Sequence, residues 1–128
     1  MKPQQLIVIV EDEPMLREIA SDRFRHAGYQ VTSFANGLEM LTQISDLHPS
    51  AIVLDIMTPE IDGFGVLEAI KKNFSERRFD HVPIVVWSNI ADQDSMNHAK
   101  KLGATEFLKK IDYTGDELVK KISGILYS

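Results

Sequence analysis

The chain has 128 residues, 26% of them charged and 44% hydrophobic, with a formal net charge of −5 and no cysteine. This composition describes one ordinary globular domain, argues against a multidomain enzyme, and excludes disulfides, thiolate metal sites and cysteine nucleophiles. No apolar run approaches the roughly 20 residues that span a bilayer, no basic-then-apolar leader opens the chain, and the acid excess disfavours a duplex-wrapping protein; the expectation is a cytoplasmic, non-membrane protein without direct nucleic-acid contact.

Short β-branched runs alternate with longer segments of helical spacing, the pattern of β/α units. The first run is Leu6-Ile7-Val8-Ile9-Val10, followed by a helix opening at Pro14 and striped by Leu16, Ile19, Ala20 and Phe24. Gly28 ends that helix, and a strand over 30–33 leads through Asn36-Gly37 to a second helix striped by Leu38, Leu41 and Ile44. Ala51-Ile52-Val53-Leu54 reads as a strand buried on both faces and ends on Asp55; a loop and a helix with Val66, Leu67 and Ile70 inward follow. Residues 73–81 read as an exposed connection in which Arg77-Arg78 is a solvated pair. A fourth strand is expected over 82–87, a weakly amphipathic helix over 92–102, and a fifth strand over 105–108 after Gly103. Leu118, Val119, Ile122, Ile125 and Leu126 stripe the last helix. Five such units use the whole of 1–128 as a single domain, with Met1 as its expected natural start. Parallel strands with right-handed crossovers require helices on both faces, and place a ligand crevice at the carboxyl ends of the strands.

Glu11, Asp12 and Glu13 follow the first strand, Asp55 the third, Ser88 and Asn89 the fourth, and Lys109 and Lys110 the fifth. Converging carboxylates repel one another unless a cation joins them, and an all-oxygen set favours a hard ion such as Mg2+. Asp55 could serve as a nucleophile, with a lysine and a hydroxyl stabilising charge on a phosphoryl group. Taken singly, each residue has a plainer reading. Glu13 suffices as a helix cap, Asp55 as a turn residue, Ser88 as a strand-end hydroxyl, one of the lysines as solvated and Trp87 as core. The four kinds coincide at successive strand ends, which favours phosphoryl chemistry.

At these positions the chain resembles the receiver domain of two-component response regulators over essentially its whole length. The resemblance rests on Val8-Ile9-Val10-Glu11-Asp12-Glu13-Pro14, Leu54-Asp55-Ile56-Met57-Thr58-Pro59-Glu60-Ile61-Asp62-Gly63, Trp87-Ser88 and Phe107-Leu108-Lys109-Lys110. It implies a doubly wound, flavodoxin-like α/β fold, a five-stranded parallel sheet in the order 2-1-3-4-5. It implies Asp55 as phosphoacceptor from a phosphohistidine on a sensor histidine kinase or histidine phosphotransfer protein. Mg2+ or Mn2+ would be held by Glu11, Asp12, Asp55 and the main-chain carbonyl of Met57. Ser88 would be the switch hydroxyl, Phe107 the aromatic that turns inward behind it, and Lys110 the site lysine. The surface of the fourth helix, fifth strand and fifth helix would then meet a downstream partner or output domain, or a second copy in a phosphorylation-dependent dimer. Such a domain is no classical enzyme; it promotes only its own phosphorylation and dephosphorylation.

Three departures from the family pattern stand out. Ile111 occupies the place of a proline that often follows a cis bond, so a trans bond is expected, a non-proline cis bond costing about 2.5 to 4 kcal/mol. Asn89 replaces a small residue and could crowd the phosphoryl group or bond to it. Met57 and Ile90 are apolar where some receivers orient water, and are expected to slow hydrolysis of the aspartyl phosphate. Competing readings are a receiver-like docking module that takes no phosphate, a dehalogenase-type phosphatase, and a flavin carrier. The phosphatase would need a second aspartate where Met57 stands, and the flavin phosphate would meet three acids after the first strand.

Overall fold

The computed structural model describes residues 5–57, 62–73, 82–89 and 92–127. Thr58 to Ile61, Ile90 and the Arg77-Arg78 pair, singled out from the sequence, lie outside the described residues. The elements follow as β1 (Leu6–Val10), α1 (Pro14–His26), β2 (Gln30–Phe34), α2 (Gly37–Gln43) with a 3-10 turn at Ile44–Asp46, β3 (Ala51–Leu54), α3 (Gly63–Asn73), β4 (Ile84–Ser88), α4 (Gln93–Lys101), β5 (Glu106–Lys109) and α5 (Gly115–Leu126). The five strands form one parallel sheet in the order β2-β1-β3-β4-β5, the doubly wound fold expected.

Strand side chains alternate between faces, and the core divides accordingly. Ile7, Ile9, Val53, Val85, Trp87 and Leu108 join Ala20 and Phe24 of α1 and Leu118 and Ile122 of α5. Val8, Val10, Ile52, Leu54, Val86 and Phe107 join Met40 of α2, Val66, Leu67 and Ile70 of α3, and Ala99 of α4. Each large aliphatic or aromatic chain so buried contributes about 1.5–3 kcal/mol.

Local chemistry sets the boundaries. Pro14 opens α1, and the Glu13 carboxylate accepts the amides of Met15 and Leu16 at 3.3 and 2.7 Å. Gly28, at φ +100°, reverses the chain after α1, a conformation that costs glycine no Cβ clash. Asn36 caps α2 through the Glu39 amide at 2.9 Å, and Thr114 and Glu117 form a reciprocal capping box on α5.

The fourth strand starts later than expected, at Ile84, because Pro83 has no N–H. Pro83 serves the ladder only as acceptor, from the Ile52 amide at 3.0 Å. Two inward assignments are corrected. Ile19 is 41% exposed, since the buried line of α1 runs through Ala20 and Phe24 and leaves Ile19 on its flank beside Gly115. Leu38 is 46% exposed, since Gly37, Met40 and Ile44, at helical spacing, form the buried side of α2 and the turn after it.

Candidate functional site

Sheet register brings the chemistry together. Val10 pairs with Leu54, so the next residues, Glu11 and Asp55, emerge side by side from β1 and β3. The Asp55 amide continues the ladder to the Val10 carbonyl at 3.0 Å, and the Glu11 amide bonds the Phe34 carbonyl at 3.0 Å. On the other side Ser88 pairs with Lys109, and the Lys110 amide bonds the Ser88 carbonyl at 3.0 Å, turning Lys110 back over the strand ends. Glu11, Asp12, Glu13, Leu16, Asp55, Met57, Ser88, Asn89 and Lys110 line one crevice of about 310 Å³.

The ammonium at the acids is that of Lys110. Its Nζ lies 2.5 Å from Glu11 Oε1 and 2.6 Å from Asp55 Oδ2. The remaining carboxylate oxygens are tied to main chain: Glu11 Oε2 accepts the Glu13 amide at 3.0 Å, and Asp55 Oδ1 accepts the Met57 amide at 2.9 Å. Burial raises the Glu11 carboxyl above its ordinary 4.5, and the bonds from Lys110 and Glu13 offset this only in part. Burial alone would lower Lys110, but its bonds to Asp55 and Glu11 outweigh it and carry the ammonium above 10.5.

Glu11, Asp12 and Asp55 each offer an oxygen within 4.8 Å of the others. Three carboxylates against one ammonium leave two negative charges, which suits a hard divalent cation with oxygen ligands. Asp12 is exposed and offers an open approach, whereas Glu11 and Asp55 are buried. Ser88 is fully buried and Asn89 exposed at the same edge. Phe107 lies with Val86 in the core layer under α2, α3 and α4, its ring already buried. Met57 is 59% exposed at the rim. No cis peptide occurs among the described residues, so the bond before Ile111 is trans.

Two residues of the site escape a reading of motifs. Arg17 donates from Nη1 to the Glu11 carbonyl at 2.8 Å, fixing the main chain that carries the acid. Only its place one helical turn past the cap hints at this. Trp87 sends its indole N–H to the Tyr113 carbonyl at 3.0 Å and has Lys110 Nζ over its ring. A large aromatic in an apolar strand carries no signal beyond core.

Comparison with known proteins agrees with this geometry. Residues 7–123 match the response regulator receiver domain. Over 123 residues the chain is 31% identical to the "Probable transcriptional regulator ycf27" of Porphyridium aerugineum, covering 96% of this chain and 48% of that protein. The corresponding protein of Cyanophora paradoxa is 32% identical over 94% of this chain and 47% of its own length. The chain thus spans about half the length of these curated relatives. Among solved structures, the Vibrio cholerae chemotaxis protein CheY4 superposes with a TM-score of 0.86 at 23% identity, covering 96% of this chain and 99% of that one. A CheY-like receiver domain from Methanospirillum hungatei gives 0.84 at 22%, covering 97% and 94%. The chain belongs to the response regulator receiver domain family of two-component signalling. It is a signalling domain and not a classical enzyme, and no helix among the described residues is long and apolar enough to cross a membrane.

Proposed function

We propose that Asp55 accepts a phosphoryl group from a phosphohistidine of a sensor histidine kinase or histidine phosphotransfer protein, residues 1–128 acting as one receiver domain. The observation that carries this reading is the Lys110 ammonium held against both Asp55 and Glu11 beside the open Asp12. An Asp55 carboxylate oxygen attacks phosphorus as the P–N bond breaks, and the departing imidazole keeps the electron pair. The transition state is loose, so alignment and charge neutralisation are what the chain supplies. Lys110 leans on the phosphoryl oxygens, and the Met57 amide holds Asp55 in place.

Glu11, Asp12, Asp55 and the Met57 main-chain carbonyl would hold Mg2+ or Mn2+, and the all-oxygen cluster fits such an ion. When bound, the cation supplies positive charge to the phosphoryl oxygens. The Ser88 hydroxyl bonds the transferred group. Phe107, buried behind it, is held inward, and the surface of α4, β5 and α5 shifts its population toward a partner-binding state. That partner is a downstream protein, an output domain such as the longer relatives have room for, or a second copy. Met57 and Ile90 slow loss of the phosphoryl group, and Asn89 adjusts access to it. Polar replacement of Met57 and Ile90 together is expected to shorten the phosphate's lifetime, and an unchanged or longer lifetime counts against that assignment.

Incubation with acetyl phosphate and magnesium chloride, read by intact mass, tests the central reading. Wild type gains one phosphoryl group and Asp55→Asn gains none. No gain in wild type would leave the protein a docking module that does not use phosphate.

A further inference from the structure

Trp87 is 3% exposed and packs in the core layer under α1 and α5, yet its indole also engages the loop that carries the site lysine. The indole N–H donates to the Tyr113 carbonyl at 3.0 Å. Lys110 Nζ lies 5.4 Å from the ring centroid, within the range in which an aromatic face attracts an ammonium. Lys110 and Tyr113 lie at opposite ends of the segment joining β5 to α5, whose middle includes Ile111, 87% exposed and packed against little. The main-chain bonds of this segment run from the Lys110 amide to Ser88 and from the Asp112 and Tyr113 amides to Lys109. A lysine has four rotatable side-chain bonds, so the position of Nζ is set by what surrounds it. Two carboxylates lie around it, and their charge is redistributed once Asp55 is phosphorylated. The indole keeps its place because it is anchored in the core.

We infer that Trp87 is a positioning residue for Lys110: its ring backs the ammonium, and its N–H pins the far end of the β5–α5 loop. The inference rests on the phosphoacceptor reading of Asp55 for its effect on rate, but not for its effect on Lys110.

The test compares wild type, Trp87→Phe and Trp87→Leu in two measurements. In the first, phosphorylation by saturating acetyl phosphate with magnesium is followed by intact mass. Trp87→Phe keeps an aromatic face and loses the N–H, and its rate is expected to fall about fivefold, the worth of one ordinary hydrogen bond. Trp87→Leu loses both and is expected to fall about threefold further. In the second, phosphate-free protein is treated with a limiting amount of acetic anhydride and peptide-mapped, with exposed Lys120 as internal reference. The Lys110 to Lys120 acylation ratio is expected to rise in Trp87→Phe and more in Trp87→Leu. A merely structural role would move that ratio no more than Phe24→Leu, a substitution in the same core layer that likewise lowers the melting temperature, and a rise no larger than that overturns the inference. Unchanged ratios overturn the inference, even if rates fall, and so do unchanged rates in a wild type that takes the phosphoryl group. A wild type that takes none refutes the phosphoacceptor reading, while the acylation ratio still decides the role of Trp87. Should Trp87→Leu fail to fold, Trp87→Phe decides both measurements.

Discussion

Replacing Lys110 by methionine keeps a long unbranched side chain but leaves Glu11 and Asp55 facing each other without a cation, Glu11 at 1% and Asp55 at 5% exposure. Two adjoining buried carboxylates cannot both stay ionised at low cost, so the folded variant is expected to take up a proton. Holding a proton on a group whose ordinary value is 4.5 costs about 1.4 kcal/mol for each pH unit above it. Without magnesium the penalty is then at most about 4 kcal/mol near pH 7.5, in the range expected when one partner of a buried ion pair is deleted, and about 1.4 near pH 5.5. The sign follows from linkage: the folded variant binds a proton that its unfolded chain has released, so stability falls as pH rises between 4.5 and the raised value. Wild type has a complementary loss at high pH. The folded Lys110 ammonium sits above 10.5, so its contribution is complete below that value and disappears as pH rises through the raised one; the methionine variant lacks this loss. Urea unfolding followed by far-UV circular dichroism, in a chelator at both acidities, measures these terms. An equal penalty at the two acidities, or one below about 1 kcal/mol near pH 7.5, would refute the reasoning.

Other consequences can be measured in the same way. Magnesium chloride at about 100 times its dissociation constant is expected to stabilise wild type by about 2.7 kcal/mol, and Asp12→Asn is expected to lose most of that response; an unchanged response removes Asp12 from the cation site. Gly63→Ala is expected to cost about 2–3 kcal/mol in urea unfolding, because a Cβ there would run into the Ile56 Cα, main chain that cannot swing aside. Thr114→Ala removes the capping box of α5 and is expected to cost about 1 kcal/mol, seen as a lower melting temperature.

Much of the fold was legible because parallel strands buried on both faces read as unbroken apolar runs, and the helices between them carry caps and stripes. Side-chain direction was harder to read. Ile19 and Leu38 fall beside the apolar stripes, and their exposure depends on how each helix is rotated against the sheet. The convergence of Glu11, Asp12, Asp55 and Lys110 could be anticipated because strand ends in such a sheet share one edge. The bonds that hold them could not. The reach of Arg17 to the Glu11 carbonyl and of Trp87 to Tyr113 depends on rotamers and loop paths, which no spacing in the chain encodes.

The alternation of β4 places neighbouring residues in separate halves of the protein. Trp87 packs toward α1 and α5, while Val86, with Phe107 beside it on β5, packs toward α2, α3 and α4. With the sheet between them, substitutions at 87 and at 107 share no packing partner within either core layer, so any coupling of their stability costs runs through the main chain of β4 and β5, where Val86 pairs with Phe107 and Trp87 with Leu108. The phosphoryl group adds a second route, through the strand ends where Ser88 and Lys110 meet. A double-mutant cycle between Trp87 and Phe107, run with and without phosphoryl group, would isolate how strongly the crevice couples the two layers.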